Sequence, residues 1–399
     1  MRTLTPHRTR QRLVSILAIF NVLSPVFTQQ TPIRVAGIND ISYDAKGYPP
    51  LPLTNPWASY GRGSLSSWNG LITFAHTEPL KCFDPDQDTK YDAAILGMRD
   101  INSLKPLTDL WISIIIPLGA PFDTATSYRP GARFGPNGIR QGSRTSRVVD
   151  FDPAMKIKIA DHLDVVDCGD VPMVKIDNSV ALKQIEDAHA KLLSHTSART
   201  YEGKSLAKDG KFHPRILTLG GDHTITFPLL RGIAQVYGPV SVIHFDSHLD
   251  TWKPRQWEGS PWPEGEPVNH GSYFYYAHKE GLLASNNTNI HVGLRGPIYD
   301  WGDYEDDYKF GFVISHAEDI EEVGWKGIVK KIRDTVGDNP VYITVDIDVL
   351  DPGSAPATGT PEIGGFTTRE FKKILQGLAG LKIVGADIVE VAPGSSKPP

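Results

Sequence analysis

Apolar and polar positions change rhythm along the chain, and the clearest rhythm lies in its second half. Ile216–Leu219, Val240–Phe245, residues 289–294, residues 341–346 and Lys382–Val389 are short runs rich in Val, Ile and Leu with little polar alternation. Such runs suit strands whose two faces are both covered. Between them, Thr226–Tyr237 and Thr368–Leu378 place apolar residues at helical spacing. Upstream, Tyr91–Gly97 reads as a first strand, Leu163–Cys168 as another, Ser179–Ser194 as a helix and His195–Pro214 as a polar loop. The alternation predicts an α/β fold whose mostly parallel sheet carries helices on both faces. Ligands of such sheets bind at the carboxyl ends of the strands.

The first part of the chain is less regular. Arg2, Arg8, Arg10 and Arg12 precede an apolar block, Leu13–Phe27, and Thr28-Gln29-Gln30 follow it. A basic head before a compact apolar stretch predicts a signal peptide over residues 1–30 and a secreted protein. The first acidic residue is Asp40, so a mitochondrial leader is the alternative. Residues 31–82 hold a Pro-, Gly-, Ser- and Trp-rich stretch and read as an irregular arm, packed across the domain surface or onto another subunit. Residues 83–399 then form the main domain. Within it Trp111–Leu118 is an apolar run unlike its surroundings, read most plainly as an additional strand.

The strand ends carry the candidate chemistry. Val240–Phe245 runs into Asp246-Ser-His248-Leu-Asp250, the strand before Asp346 runs into Asp346-Ile-Asp348, and Ile216–Leu219 runs into Gly220-Gly-Asp-His223. Carboxylates and imidazoles there are costly to bury unless paired or bound to metal. Each has a plainer use: the glycines make a turn, His223 caps the next helix, Asp250 caps a loop and Asp348 forms a turn. Together, His223, Asp246, His248, Asp250, Asp346 and Asp348 are too many and too oxygen-rich for one tetrahedral zinc. They suit two octahedral-leaning ions, and manganese accepts both imidazole and carboxylate. Two ions sharing carboxylates activate water near neutral pH, which is hydrolase chemistry.

These segments resemble a known family. GGDHTITFPLLR (220–231), HFDSHLDTW (244–252), NHGSYF (269–274), VDIDVLDPGSAPATGTPEIGG (345–365), DIVEVAP (387–393) and PFDTATSYRPGARFGPNGIR (121–140) are similar to the ureohydrolases: arginase, agmatinase and related manganese amidinohydrolases. The resemblance implies a three-layer α/β/α sandwich, two manganese ions per subunit and a homo-oligomer, trimer or hexamer. It implies one ion on His223, Asp246, Asp250 and Asp346 and the other on Asp246, His248, Asp346 and Asp348. It further implies that Asp250 passes a proton to the departing amine, that His270 shuttles protons and that Glu390 holds the guanidinium. Trp252 and Thr360 would complete the substrate pocket. Thr251-Trp252 follows the metal triplet as in the agmatinase branch, where arginases carry an Asn, and Tyr273–Tyr276 would add aromatic bulk. Agmatine, hydrolysed to putrescine and urea, is therefore the expected substrate. Guanidinobutyrate or another ω-guanidino acid, paired with Arg255 or Arg295, is the alternative, and a catalytically inactive relative is a third. Arg133 is expected to be structural.

Against the family pattern the chain departs twice. Met98–Gly119 intervenes where relatives run Ile-Leu-Gly-Ala-Pro-Phe-Asp; removing it rejoins Leu96-Gly97 to Ala120-Pro-Phe-Asp. The expectation is a retained intron, or an insertion that disrupts the first βα turn and has no place in the core. The chain also ends at Gly394-Ser-Ser-Lys-Pro-Pro399, where relatives add a helix, so a truncated form is expected.

Composition excludes several classes. The 399 residues carry a formal net charge of −5 and no basic run in the body of the chain, so no nucleic-acid footprint is present. No apolar run reaches the ~18 residues of a membrane span. Two cysteines, Cys82 and Cys168, make no disulfide framework; isolated small hydrophobes are expected, with pairing in an oxidising compartment as the alternative. Asn286-Asn-Thr288 is a glycosylation sequon, usable only on a secreted chain.

Overall fold

The computed structural model describes residues 72–80, 82–83, 113–153, 155–161, 163–195, 204–256, 258–259, 261–262 and 265–396. The expectations for residues 1–30 and for the strand Tyr91–Gly97 lie outside them.

Among the described residues, nine parallel strands form the central sheet. In chain order they are β1 (Glu78–Pro79), β2 (Ser113–Ala120), β5 (Leu163–Asp167), β6 (Arg215–Gly220), β7 (Ser241–Phe245), β8 (Asn289–Leu294), β9 (Phe312–His316), β10 (Pro340–Asp346) and β11 (Lys382–Val389). A separate antiparallel pair, β3 (Phe151–Asp152) and β4 (Ile157–Lys158), lies outside the sheet. The spatial order is β1-β5-β2-β6-β11-β10-β7-β8-β9. The strands read from the apolar runs of the second half, and Leu163–Cys168, are found within about a residue of their expected ends, whereas the strand read at Trp111–Leu118 lies at Ser113–Ala120.

Successive residues of one strand feed two different cores, as the two-residue period of a strand requires. Leu217, Ile243 and Ile343 pack with Ile328 and Ile332 of α7 (Gly324–Val336) and Phe371 and Ile374 of α8 (Thr368–Gly377). Their neighbours Ile216, Val242 and Tyr342 pack instead with Ile185 and Leu192 of α2 (Asn178–Ser194), Leu229 and Leu230 of α3 (Thr226–Tyr237) and Tyr273 and Phe274 of α4 (Tyr273–Lys279). The result is the expected three-layer α/β/α sandwich. Local signals set the helix ends: Asp177 accepts from the Val180 amide to start α2, and a Thr367/Glu370 capping box starts α8. No helix of the described residues is long and apolar enough to cross a membrane.

Three expectations are corrected. Residues 113–119 are not excluded from the core: β2 lies between β5 and β6, and Ile116 and Leu118 are fully buried. The reason is physical, since a central parallel strand is covered on both faces and accepts an unbroken apolar run. The arm is not wholly irregular either. Glu78–Pro79 extends the sheet beside β5, and the Phe74 amide donates to buried Asp167 at 2.7 Å. Finally, Cys82 and Cys168 are not isolated but joined in a disulfide. The β1–β5 pairing brings the segments that follow each strand side by side.

Candidate metal centre and active site

Strands β6, β11, β10 and β7 are neighbours in the sheet, so the segments leaving their carboxyl ends meet above one edge. They bring His223, Glu390, Asp346, Asp348, Asp246, His248 and Asp250 together. Buried His223 points its Nδ1 at Asp246, Asp250 and Asp346, 3.0, 3.1 and 3.4 Å away, yet that nitrogen makes no hydrogen bond. Its Nε2 is taken by the hydroxyls of Thr344 at 2.7 Å and Tyr273 at 2.9 Å. Burial lowers the His223 pKa, but Asp246, Asp250 and Asp346 outweigh it and raise it well above the ordinary imidazole value; a cation among these oxygens would instead meet a lone pair on Nδ1. The Nδ1 of His248 lies 3.1 Å from Asp348 and 3.3 Å from Asp246.

Backbone amides fix the carboxylates. His248 N donates to Asp246 at 2.6 Å, Ser247 N to Asp348 at 3.0 Å and Asp348 N to Asp346 at 2.8 Å. Burial and the charges of Asp348 and Asp246 push Asp346 well above the ordinary carboxylate range. Burial and Asp246 push Asp250 up to about 6. Bare, the cluster does not hold its full negative charge; divalent cations there would balance it. The donor set and the orphaned imidazole nitrogen therefore fit metal: among the described residues His223, His244, Asp246 and Asp250 form one group with ligand atoms within 4.8 Å and Asp246, His248 and Asp348 another, while Asp346 falls in neither.

Asp250 and Glu390 are two of the few non-glycine residues with positive φ, both at 58°. Backbone in this region is disfavoured for branched side chains and clusters at functional sites. Glu390 is buried at the end of β11, where Oε1 accepts from the His223 amide at 2.9 Å and sits 3.2 Å from Nδ1 of His270. On the other side of that ring, the Ser127 amide donates to Nε2 at 3.0 Å. Burial lowers the His270 pKa, but Glu390, Asp250 and Asp222 outweigh it and raise it to about 9, which favours an imidazolium. The Ser127 amide, in contrast, requires a lone pair on Nε2. We take the neutral ring with its proton on Nδ1, because an amide cannot reverse its direction and cations in the cluster would cancel the carboxylate field.

A cavity of about 920 Å³ opens onto the cluster and is lined by Asp250, Asp346, His248, His270, Trp252 and Thr360. Thr360 also reaches Asp348 at 3.5 Å. Arg255 lines the same cavity and lies over the Tyr299 ring. Arg295 does not line it: its guanidinium is spent on carbonyl oxygens, including Asp348 at 2.6 Å and Glu362 at 2.7 Å. Arg133 pairs with buried Asp123, a structural use. The aromatic bulk expected from Tyr273–Tyr276 is corrected as well. Tyr273 and Phe274 are fully buried in the core, none of the four lines the cavity, and Tyr273 acts by its hydroxyl on His223.

Other participants were given no role from the sequence, although His244 and Asp387 open two of the segments quoted above. His244 lies in β7 with Nε2 2.9 Å from Asp246, and its Nδ1 meets His291 at 2.6 Å. His291 continues to Asp307 at 2.9 Å, which also accepts from Thr251. Behind His223, Asp387 accepts from the hydroxyls of Thr344, Tyr342 and Thr226. Their place in family-like segments, as polar residues inside apolar strands, was the available signal for His244 and Asp387; their partners come from distant segments.

Comparison with known proteins agrees with this geometry. The arginase family profile matches residues 113–397. Two Schizosaccharomyces pombe proteins with agmatinase in their names are 50% and 46% identical, over 78% and 82% of this chain and 80% and 74% of theirs. Agmatinase of Photorhabdus laumondii is 39% identical over 69% of this chain and 78% of its own. Among solved structures, proclavaminate amidino hydrolase from Streptomyces clavuligerus superposes with a TM-score of 0.63 at 30% identity, covering 83% of this chain and 91% of that one. The chain therefore belongs to the arginase family, as a hydrolase of guanidino compounds.

Proposed function

We propose that the protein hydrolyses agmatine to putrescine and urea with two manganese ions, one on His223, Asp246, Asp250 and Asp346 and one on Asp246, His248, Asp346 and Asp348. The observation that carries the metal reading is the Nδ1 of His223, buried, unbonded and faced by three carboxylates. When bound, the ions supply Lewis-acid charge that activates water and stabilises charge developing at the guanidine carbon. Glu390 holds the guanidinium by charge-assisted hydrogen bonds, its Oε1 already fixed by the His223 amide. Asp250, held in its left-handed backbone conformation, receives the proton lost from water and passes it toward the departing amine. His270 is poised between Glu390 and Ser127 to relay that proton at Nε2.

Agmatine is favoured by Thr251-Trp252 and by agmatinase names among relatives of up to 50% identity. Guanidinobutyrate is the second reading, supported by Arg255 at the cavity wall. Urea release from agmatine, arginine and guanidinobutyrate by manganese-incubated protein tests both. Agmatine is expected to give the highest kcat/KM, and chelation is expected to abolish turnover until manganese is returned. Preference for guanidinobutyrate would replace the substrate; retention of full activity after exhaustive chelation would remove the metal reading.

A further inference from the structure

Beyond the reacting centre, the cavity has a second built corner. Trp252 leaves the Asp246–Asp250 segment and packs against Gly271, next to His270; a Cβ on that glycine would stand 3.0 Å from the Trp252 ring. On the far side of Trp252, its indole Nε1 donates to Asp303 Oδ2 at 3.2 Å, and the Tyr299 amide donates to the same oxygen at 2.8 Å. The Trp252 and Tyr299 rings meet edge to face, centroids 6.3 Å apart, and both line the cavity with Asp303. Asp303 is half-buried, in the first turn of α5 (Trp301–Lys309). Its Oδ2 is thus fixed by two donors, and its Oδ1 makes no hydrogen bond among the described residues.

We infer that Asp303, with the Trp252 and Tyr299 rings, is the subsite that reads the far end of the substrate and selects a primary ammonium there. A carboxylate fixed by two donors, with aromatic rings beside it, is the chemistry that recognises an alkylammonium, by a charge-assisted hydrogen bond to the carboxylate and cation–π attraction to a ring. The charges around it agree. Outside the metal cluster, the cavity wall carries Glu266, Asp303, Asp306 and Glu362 against Lys253 and Arg255, and Lys253 is already paired with Asp306. A tail ending in a carboxylate meets like charge at this corner, which disfavours guanidino acids and the carboxylate of arginine. Arg255 does not reverse this balance, because it is exposed and lies over the outer Tyr299 ring. The subsite rests on the agmatine reading and goes past it by naming what distinguishes the tail.

The test compares three substrates that share the guanidine and differ in the tail: agmatine, butylguanidine and 4-guanidinobutyrate. Asp303→Asn keeps an oxygen for the Trp252 and Tyr299 donors and removes the charge. The ratio of kcat/KM for agmatine to that for butylguanidine is expected to fall by about tenfold to a hundredfold, carried mainly by KM for agmatine, the range of one charge-assisted hydrogen bond. The same change is expected to improve guanidinobutyrate relative to butylguanidine. Tyr299→Leu, at a residue 69% exposed and therefore safe for folding, is expected to lower the agmatine ratio by a smaller factor, within about tenfold. An equal loss on agmatine and butylguanidine would reduce Asp303 to a prop for Trp252 and overturn the subsite. An unchanged ratio in both variants would overturn it too, while leaving wild-type hydrolysis of agmatine standing. A wild-type enzyme that prefers guanidinobutyrate would remove the agmatine reading itself, and the subsite with it.

Discussion

At the scale of single residues, the candidate ligands stood out because each lies where a short apolar strand stops, in a spacing that turns have no need of. What holds them did not, since hydrogen-bond partners come from other strands. Asp387 shows the difference. In sequence it is one carboxylate in an apolar strand; in the fold it gathers the hydroxyls of Thr344, Tyr342 and Thr226, and Thr344 in turn meets Nε2 of His223. That chain fixes which imidazole nitrogen faces the carboxylates, and such outer partners typically govern metal affinity by ~10–100-fold. Asp387→Asn is therefore expected to weaken manganese binding within that range, measured by calorimetric titration of the chelated protein. Wild-type affinity in a folded Asp387→Asn variant would mean that Tyr273 alone orients the ring.

The elements were legible where burial leaves a simple pattern and illegible where two segments offer the same one. Tyr91–Gly97 and Trp111–Leu118 both read as strands, and sequence similarity to the family favoured the first. A strand buried on both faces has no alternation to fix its register or to rank it against a rival of equal apolarity. The structure seats Ser113–Ala120 between β5 and β6. Ile116→Ala, at a fully buried position of β2, is expected to cost about 2–5 kcal/mol in denaturant unfolding. Wild-type stability in that variant would hand the slot to another segment. Helix packing makes a second prediction. His189 of α2 is buried against Gly232 of α3 with neither ring nitrogen hydrogen-bonded, and burial lowers its pKa to about 3. Between about 3 and its ordinary value of 6.5, the unfolded chain binds a proton that the folded chain refuses. Stability thus falls as pH drops through this window, by at most ~1.4 kcal/mol per pH unit from this group. His189→Leu should flatten that slope in urea titrations from pH 6.5 to 4; an unchanged slope would place the acid sensitivity in other groups.

For the whole molecule, the Cys82–Cys168 bond ties the segment after β1 to the segment after β5, across 86 residues of sequence. The two cysteines alone did not reveal it, because pairing depends on β1 joining the sheet edge, and a two-residue strand leaves almost no hydrophobic signal. The same edge is held by Asp167, which accepts from the Phe74 amide and from Arg140. The bond constrains the unfolded chain over a long loop, and its loss is expected to cost about 2–5 kcal/mol. Cys82→Ser/Cys168→Ser and the reduced wild type should therefore show the same lowered Tm, with metal content and KM for substrate retained, since the bond lies at the β1–β5 edge and outside the cavity lining. Disulfides persist in oxidising compartments. Expression through a secretory pathway should accordingly yield protein without free thiols, and with a glycan at Asn286, whose side chain is exposed in a turn. Two titratable thiols and an unmodified Asn286 in protein isolated from its native source would instead locate the chain in a reducing compartment, where Asp167, the β1–β5 pairing and the Ala75–Ser143 hydrogen bond hold the edge without the disulfide.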